Sequence, residues 1–183
     1  MHISTHRIAS RLAIVLAASA TLWLAACAKS TTVEAPPAQA AEPDSVARDR
    51  MAIEETLRLY VRALDASDLT AYLATLTDDA KFVSADATYA GKEAISKYVE
   101  PVMKSRLQRR EKEGAAATAT HHVVTNQAFE FIDHDNVVVR AYWMFVVAHG
   151  AGKPSTIDGT GSSEDYLRRV GGKWLISERR VGP

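Results

Sequence analysis

The chain has a single cysteine in 183 residues, Cys27, so no intrachain disulfide can hold it together. It has no excess of either charge. The 22 Lys and Arg stand against 22 Asp and Glu, which removes the electrostatic footprint of a nucleic-acid partner. No internal repeat is present. The one long hydrophobic run, Leu12 to Ala26, falls short of the ~20 apolar residues that span a bilayer comfortably. The six histidines are scattered, and only His121 and His122 are neighbours. On a strand, adjacent side chains point to opposite faces, so that pair cannot readily share one ion and no metal site is expected. What the chain has in quantity is apolar side chain. At 47% of residues it is enough for one domain with a real core and too much for a disordered protein.

Arg7 and Arg11 precede the apolar run, which is the arrangement of an export signal. The run ends Leu24-Ala25-Ala26-Cys27: an aliphatic residue, two small ones, then cysteine. This resembles the lipobox of bacterial lipoproteins. The resemblance implies that residues 1–26 are a lipoprotein signal peptide, cleaved before Cys27, and that Cys27 is lipidated on its thiol and its new amino group. Ala28 in place of Asp implies, on the same resemblance, a domain held at the outer membrane of the cell envelope and facing the periplasm. Loss of residues 1–26 removes two bases and no acid, leaving 20 bases against 22 acids. Such a balance suits a soluble domain on a lipid tether better than one clamped to anionic lipid by charge. Residues 27–44 carry Pro36, Pro37 and Pro43 among Ala, Thr, Ser and Glu, and read as a flexible linker behind the lipidated cysteine. The folded domain is expected over residues 45–183.

Within that domain Ile53, Leu57, Tyr60 and Leu64 recur at helical spacing and predict a helix from Ser45 to about Ala66. Asp65 lies at the edge of that stripe on the last turn, where the helix dipole disfavours a carboxylate, a hint that it is placed for another purpose. Asp68 reads as the N-cap of a short helix, Leu69 to Leu76, and Thr77-Asp78-Asp79 as a turn. Ala80 to Ala85 alternates as a strand, and a brief strand ends at Gly91. Lys92 to about Glu113 is a helical region in which Pro101 is expected to kink or divide the chain. Its second half, from Lys104, is dense in interleaved charges and reads as a solvated face. His121–Ile132 and Val137–Val147 are rich in β-branched and aromatic residues and flank the turn Asp133-His134-Asp135-Asn136, the signature of a long antiparallel hairpin. Thr156–Val170, irregular near Gly159 and Gly161, and Lys173–Val181 follow, joined at Gly171-Gly172. The order predicts an α+β fold with helices against one face of a curved sheet, a concavity able to hold a small ligand.

Several stretches carry a family resemblance: Tyr60-Val61-Arg62-Ala63-Leu64-Asp65-Ala66-Ser67-Asp68, Ala71-Tyr72, Leu76-Thr77-Asp78-Asp79-Ala80, Tyr89-Ala90-Gly91-Lys92-Glu93-Ala94-Ile95, His122-Val123-Val124-Thr125-Asn126 and Trp174-Leu175-Ile176. Together they resemble the SnoaL-like group of the nuclear transport factor 2-like superfamily, over essentially all of residues 48–181. The resemblance implies a cone-shaped α+β barrel, its curved, mainly antiparallel sheet wrapped around N-terminal helices, and a homodimer formed through the exposed sheet face. It is poorly specific for activity, since folds of this kind host enzymes and non-catalytic binders alike. Dehydratase and cyclase members use a Tyr and an Asp from the first helix with a His from the sheet. The matching positions here are Tyr60, Asp65 and His122, with Asn126 on the side of the strand that carries His122.

Such a trio could abstract a proton next to a carbonyl. Asp65 and His122 would serve as acid and base, and Tyr60 would donate to the carbonyl oxygen as an enolate develops. Trp143 and Phe145 would supply apolar wall. The expectation is a cofactor-independent dehydratase or isomerase with a small apolar or carbonyl-containing ligand, no cofactor and no nucleic acid. The alternative is a non-catalytic interaction or structural module of the envelope. Arg179 and Arg180 could attract an acidic ligand, or Asp165 and Glu178 could neutralise them across strands.

Overall fold

The computed structural model describes residues 44–114, 119–150 and 152–183. The signal peptide, Cys27 and the linker expected at the N-terminus lie outside the described residues. Among the described residues no helix is long and apolar enough to cross a membrane.

Helix α1 spans Asp44–Ala66. Its stripe of Ile53, Leu57, Tyr60 and Ala63 is buried in the core, and its outer face carries the ion pairs Arg50–Glu54 and Glu55–Arg58. Helix α2, Leu69–Ala74, begins at Asp68, whose carboxylate accepts from the Ala71 N–H at 2.9 Å. It stops two residues earlier than the sequence predicts, because Leu76 pairs with Ile176 and starts strand β1, Leu76–Val83. The turn expected at Thr77-Asp78-Asp79 is therefore part of that strand. Pairing with its parallel neighbour is irregular between Leu76 and Lys81, which frees Asp78 and Asp79 to meet Lys92 and Arg168 on the surface.

Strand β2, Thr88–Ala90, leads into helix α3, Lys92–Glu113. Pro101 does not divide this helix. Its ring is exposed, and the carbonyl it leaves without a donor can be solvated. Strands β3 (Thr120–Phe131), β4 (Asn136–Val147), β5 (Thr156–Val170) and β6 (Lys173–Gly182) complete one six-stranded sheet in the order β2-β1-β6-β5-β4-β3. All neighbours are antiparallel except β1 and β6. Positive φ at both Gly171 (56°) and Gly172 (77°) closes the last hairpin as a primed turn.

The core lies between α1, α2, α3 and the concave face of the sheet. Tyr72, Ile95, Val137, Val139, Leu167 and Ile176 are its most completely buried side chains apart from Ile53. Three extra residues interrupt the antiparallel ladders. Between Thr125 and Ala128 strand β3 takes three steps while β4 takes two, from Tyr142 to Arg140. Strand β5 gains a residue opposite Phe145–Val146, and β6 gains one, Ser177, opposite Tyr166–Leu167. Each such bulge reverses which side chains face inward beyond it.

Candidate functional site

The last turn of α1 brings Asp65 against β3. Its Oδ1 lies 2.6 Å from Nδ1 of His122, and its two oxygens accept from the His122 backbone N–H at 3.0 and 3.2 Å. Both side chains are about one-fifth exposed. A carboxylate only accepts, so in this contact Nδ1 is the donor, and in the neutral imidazole that tautomer leaves Nε2 as the acceptor. Nε2 has no hydrogen-bond partner among the described residues, and His122 lines a cavity of about 170 Å³ with Tyr60, Leu64, Phe82, Trp143 and Arg179. An adjoining cavity of about 360 Å³ shares Val61, His122, Val124 and Arg179, and reaches the surface at Glu54, Arg58, Arg62 and Gln127.

Tyr60 faces the cavity from α1, with its hydroxyl 3.1 Å from that of Tyr72. Burial pushes both phenols above their ordinary range, so both are neutral donors. The two hydroxyls share one hydrogen bond, which leaves one of their two protons for another acceptor. Trp143 forms wall: its indole N–H donates to the Ser162 carbonyl at 3.1 Å. The indole lies against Gly161, its neighbour across the ladder, where a Cβ would fall 2.2 Å from the Gly182 carbonyl and 2.7 Å from the indole.

Arg179 is the group whose part in the site sequence reasoning missed. It is 8% exposed, it donates through Nη1 to both oxygens of Asp165 at 2.6 and 2.8 Å, and its guanidinium lies 4.8 Å over the Tyr60 ring. Burial opposes its charge, yet the Asp165 carboxylate holds it above its ordinary value. The cross-strand pairing of Asp165 with Arg179 matches one of the two sequence readings. Its inward position does not follow from alternation with Trp174 and Ile176. The extra residue Ser177 turns it inward, and Ser177 fastens that bulge by donating to the Tyr166 carbonyl at 3.0 Å.

The structure thus brings Tyr60, Asp65, His122 and Trp143 together, and keeps Asn126 and Phe145 out of the cavity they form. Asn126 sits at the β3 bulge with φ 55° and lines a groove with Tyr142, Glu164 and Arg180. The bulge puts Gln127, and not Asn126, on the side of His122 and Val124. Phe145 lies directly across the ladder from His122, its ring 4.9 Å from the imidazole, and lines a separate cavity beyond it. His121 is exposed. Among the described residues no three His, Cys, Asp or Glu side chains converge as metal ligands.

Residues 45–180 match the family described as the SnoaL-like domain. No curated protein matches the sequence. Among solved structures, a candidate scytalone dehydratase from Novosphingobium aromaticivorans superposes with a TM-score of 0.60 at 20% identity, over 75% of this chain and 85% of that one. A Mycobacterium tuberculosis protein of unknown function gives 0.63 at 22%, over 78% and 76%. A nuclear transport factor 2-like protein with a cystatin-like fold, also from N. aromaticivorans, gives 0.61 at 15%, over 74% and 82%. At these identities the structures speak for the fold alone. The match over residues 45–180 establishes that the chain belongs to the SnoaL-like family, and the solved structures show a fold shared with nuclear transport factor 2-like proteins.

Proposed function

We propose that the domain binds a small carbonyl-containing molecule and removes the proton next to its carbonyl, with dehydration or isomerisation as the outcome. The observation that carries this reading is the 2.6 Å contact between Asp65 and His122 at the wall of a mainly apolar cavity. Nε2 of His122 takes the proton, and Asp65 fixes the tautomer and stabilises the imidazolium that results. The electron pair left on carbon moves into the carbonyl, and the developing oxyanion is met by Arg179. That guanidinium donates through Nη1 to Asp165 and has no hydrogen-bond partner for Nε or Nη2 among the described residues. In a dehydration the electron pair then expels a β-hydroxyl, which takes the proton back from the imidazolium and leaves as water. Tyr60, through the spare proton of its pair with Tyr72, is a second donor to the oxyanion. The likeness to a candidate scytalone dehydratase supports the reaction class.

The same proposal places the domain on a lipid tether at Cys27, in the bacterial envelope and facing the periplasm from the outer membrane. The support is the sequence Leu24-Ala25-Ala26-Cys27 behind an export-type run. It also makes the domain a homodimer through the outer face of the sheet. Val123 (40% exposed), Tyr142 (59%) and Ile157 (60%) form an apolar patch there that is costly to leave in water.

The test is turnover of a panel of β-hydroxy ketones by the full chain. Asp65→Asn and His122→Ala should each lower it by about 10²–10⁴-fold with the circular dichroism unchanged. Equal turnover in wild type and both variants would sink the catalytic reading. Cys27→Ser should abolish incorporation of labelled palmitate, and Tyr142→Glu should halve the sedimenting mass. Persistence of either property counts against the corresponding part of the proposal.

A further inference from the structure

Beyond Phe145, on the side away from His122, lies a cavity of about 620 Å³ that shares no lining residue with those at the dyad. Its apolar wall includes Val102, Phe145 and Val147; Arg106, Thr120 and His149 are among its polar groups, and the exposed side chains of Arg109, Glu113 and Asp158 stand at its rim. Arg106 is half-buried and, among the described residues, forms no salt bridge. Its one hydrogen bond among them is a long one, 3.4 Å from Nη1 to the Leu64 carbonyl, and its guanidinium lies 5.3 Å over the Phe145 ring. Burial pulls it below its ordinary value, and the carboxylate that acts on it, Asp65, is already engaged by His122. Thr120 is 3% exposed and its hydroxyl has no partner among the described residues. A half-buried cation and a buried hydroxyl, both short of acceptors, flank an apolar wall of ligand-sized extent.

We infer that this cavity is a second ligand site, separate from the dyad, for a small amphipathic monocarboxylate. The carboxylate pairs with Arg106 and takes up the Thr120 hydroxyl, while the apolar body of the ligand packs on Val102, Phe145 and Val147. Two features set the ligand's charge. Arg106 supplies the half-buried cation, and at the rim the exposed carboxylates of Glu113 and Asp158 outnumber the exposed guanidinium of Arg109 and so disfavour a second negative charge. A single carboxylate fits that field, and a polyanion such as phosphate does not. The buried cation at the dyad, Arg179, is already paired with Asp165, whereas Arg106 has no such carboxylate among the described residues.

Equilibrium dialysis of radiolabelled benzoate against the full chain tests this, with benzyl alcohol as the neutral analogue and inorganic phosphate as competitor. Wild type should bind one benzoate per chain. Benzyl alcohol should bind at least about tenfold more weakly, as a charge-assisted bond is absent. Arg106→Met should weaken benzoate by about 10–100-fold, Arg106→Lys by less, and Thr120→Val by about fivefold. Val102→Trp, at an exposed position that tolerates bulk, should fill the cavity and abolish binding even if Arg106→Met proves unstable. Wild-type affinity in Val102→Trp, equal binding of acid and alcohol, or displacement by phosphate would each overturn the inference. Because the readout is binding and not turnover, the fate of the dyad's catalytic role does not affect it.

Discussion

Replacing Asp165 by Asn should be among the most damaging single changes available to this domain. Asp165 is 2% exposed and Arg179 8%, and the carboxylate accepts twice from Nη1 of the guanidinium and once from the Ser163 hydroxyl at 3.3 Å. An amide of the same size keeps one acceptor but turns an NH₂ group toward the cation and removes the countercharge. An uncompensated buried charge of this kind costs about 3–5 kcal/mol. With a urea slope near 2 kcal/mol/M, the unfolding midpoint should fall by roughly 1.5–2.5 M, followed by circular dichroism. The double variant Asp165→Leu/Arg179→Met supplies the control. Exchanging the whole pair for apolar side chains should recover most of that loss, because the pair itself is worth far less than the penalty for breaking it. A loss below about 1 kcal/mol for Asp165→Asn would refute the reasoning, since the guanidinium would then have to be hydrated by the cavity and not held by its partner. The double variant should also be folded yet devoid of the cavity cation, so its turnover measures what Arg179 contributes to chemistry apart from stability.

Gly161→Ala should cost more than its one carbon suggests, about 2 kcal/mol or more, because its Cβ would meet the Gly182 carbonyl at 2.2 Å and the indole of Trp143 at 2.7 Å. A shift in tryptophan emission should accompany the lower melting temperature, and an unchanged melt would show that the two strands part freely. Tyr72→Phe should cost about 1–3 kcal/mol by leaving the Tyr60 hydroxyl buried without its partner, and Tyr60→Phe/Tyr72→Phe should cost less than the sum of the single changes. The Asp49 carboxyl is held below its ordinary value, first by its hydrogen bond to Arg169, and it also accepts from the Trp174 indole. A depressed carboxylate contributes stability that is present above its unfolded pKa and is lost as pH falls through its folded value. Melting temperature should therefore drop below about pH 4, and Asp49→Asn should flatten that limb of the curve. A limb equally steep in the variant would assign the acid lability elsewhere.

Helix α1 and the β3–β4 hairpin were legible because each element is a long run with a clear pattern of residue types. The stripe from Ile53 to Leu64 can only be a helix face, and the two halves of the β3–β4 hairpin can only be strands. The expected meeting of Asp65 with His122 came through family resemblance. Alternation alone left either face of β3 available to the cavity, and the contact itself closes across 57 positions of sequence. What alternation could not supply was the facing of side chains beyond a bulge. Counting by twos from His122 puts Asn126 in the cavity, and counting by twos from Trp174 puts Glu178 and Arg180 there. The extra residues in β3 and β6 reverse both counts, so that Gln127 and Arg179 face inward. A bulge leaves little trace in composition. The αL tolerance of Asn126 is the one sequence signal at the first, and Ser177 offers none at the second. The parallel pairing of β1 with β6 was hidden for a different reason. It joins segments about a hundred residues apart, and no local pattern registers it.

Asp65 shows how the fold can maintain a residue that local physics opposes. It sits on the last turn of α1, a turn with no basic residue of its own, where the free carbonyls already concentrate negative charge. Helix α3 compensates from outside. Arg110 donates to the carbonyls of Asp65 at 2.5 Å and Ala66 at 3.3 Å, and Arg106 to that of Leu64 at 3.4 Å. The charge-dense half of α3 is thus in part a cationic cap for α1, delivered through tertiary structure and not through sequence proximity. Arg110 touches neither cavity at the dyad and meets Asp65 only through its backbone, so it positions the dyad without joining the chemistry. Arg110→Ala should therefore cost about 1 kcal/mol in stability and lower turnover severalfold, while leaving the shape of the pH–rate profile intact. Arg110→Lys should restore most of both. A change in the profile's limbs, or a loss as large as that of Asp65→Asn, would mean that Arg110 acts on the titrating groups themselves and that the cap is not its role.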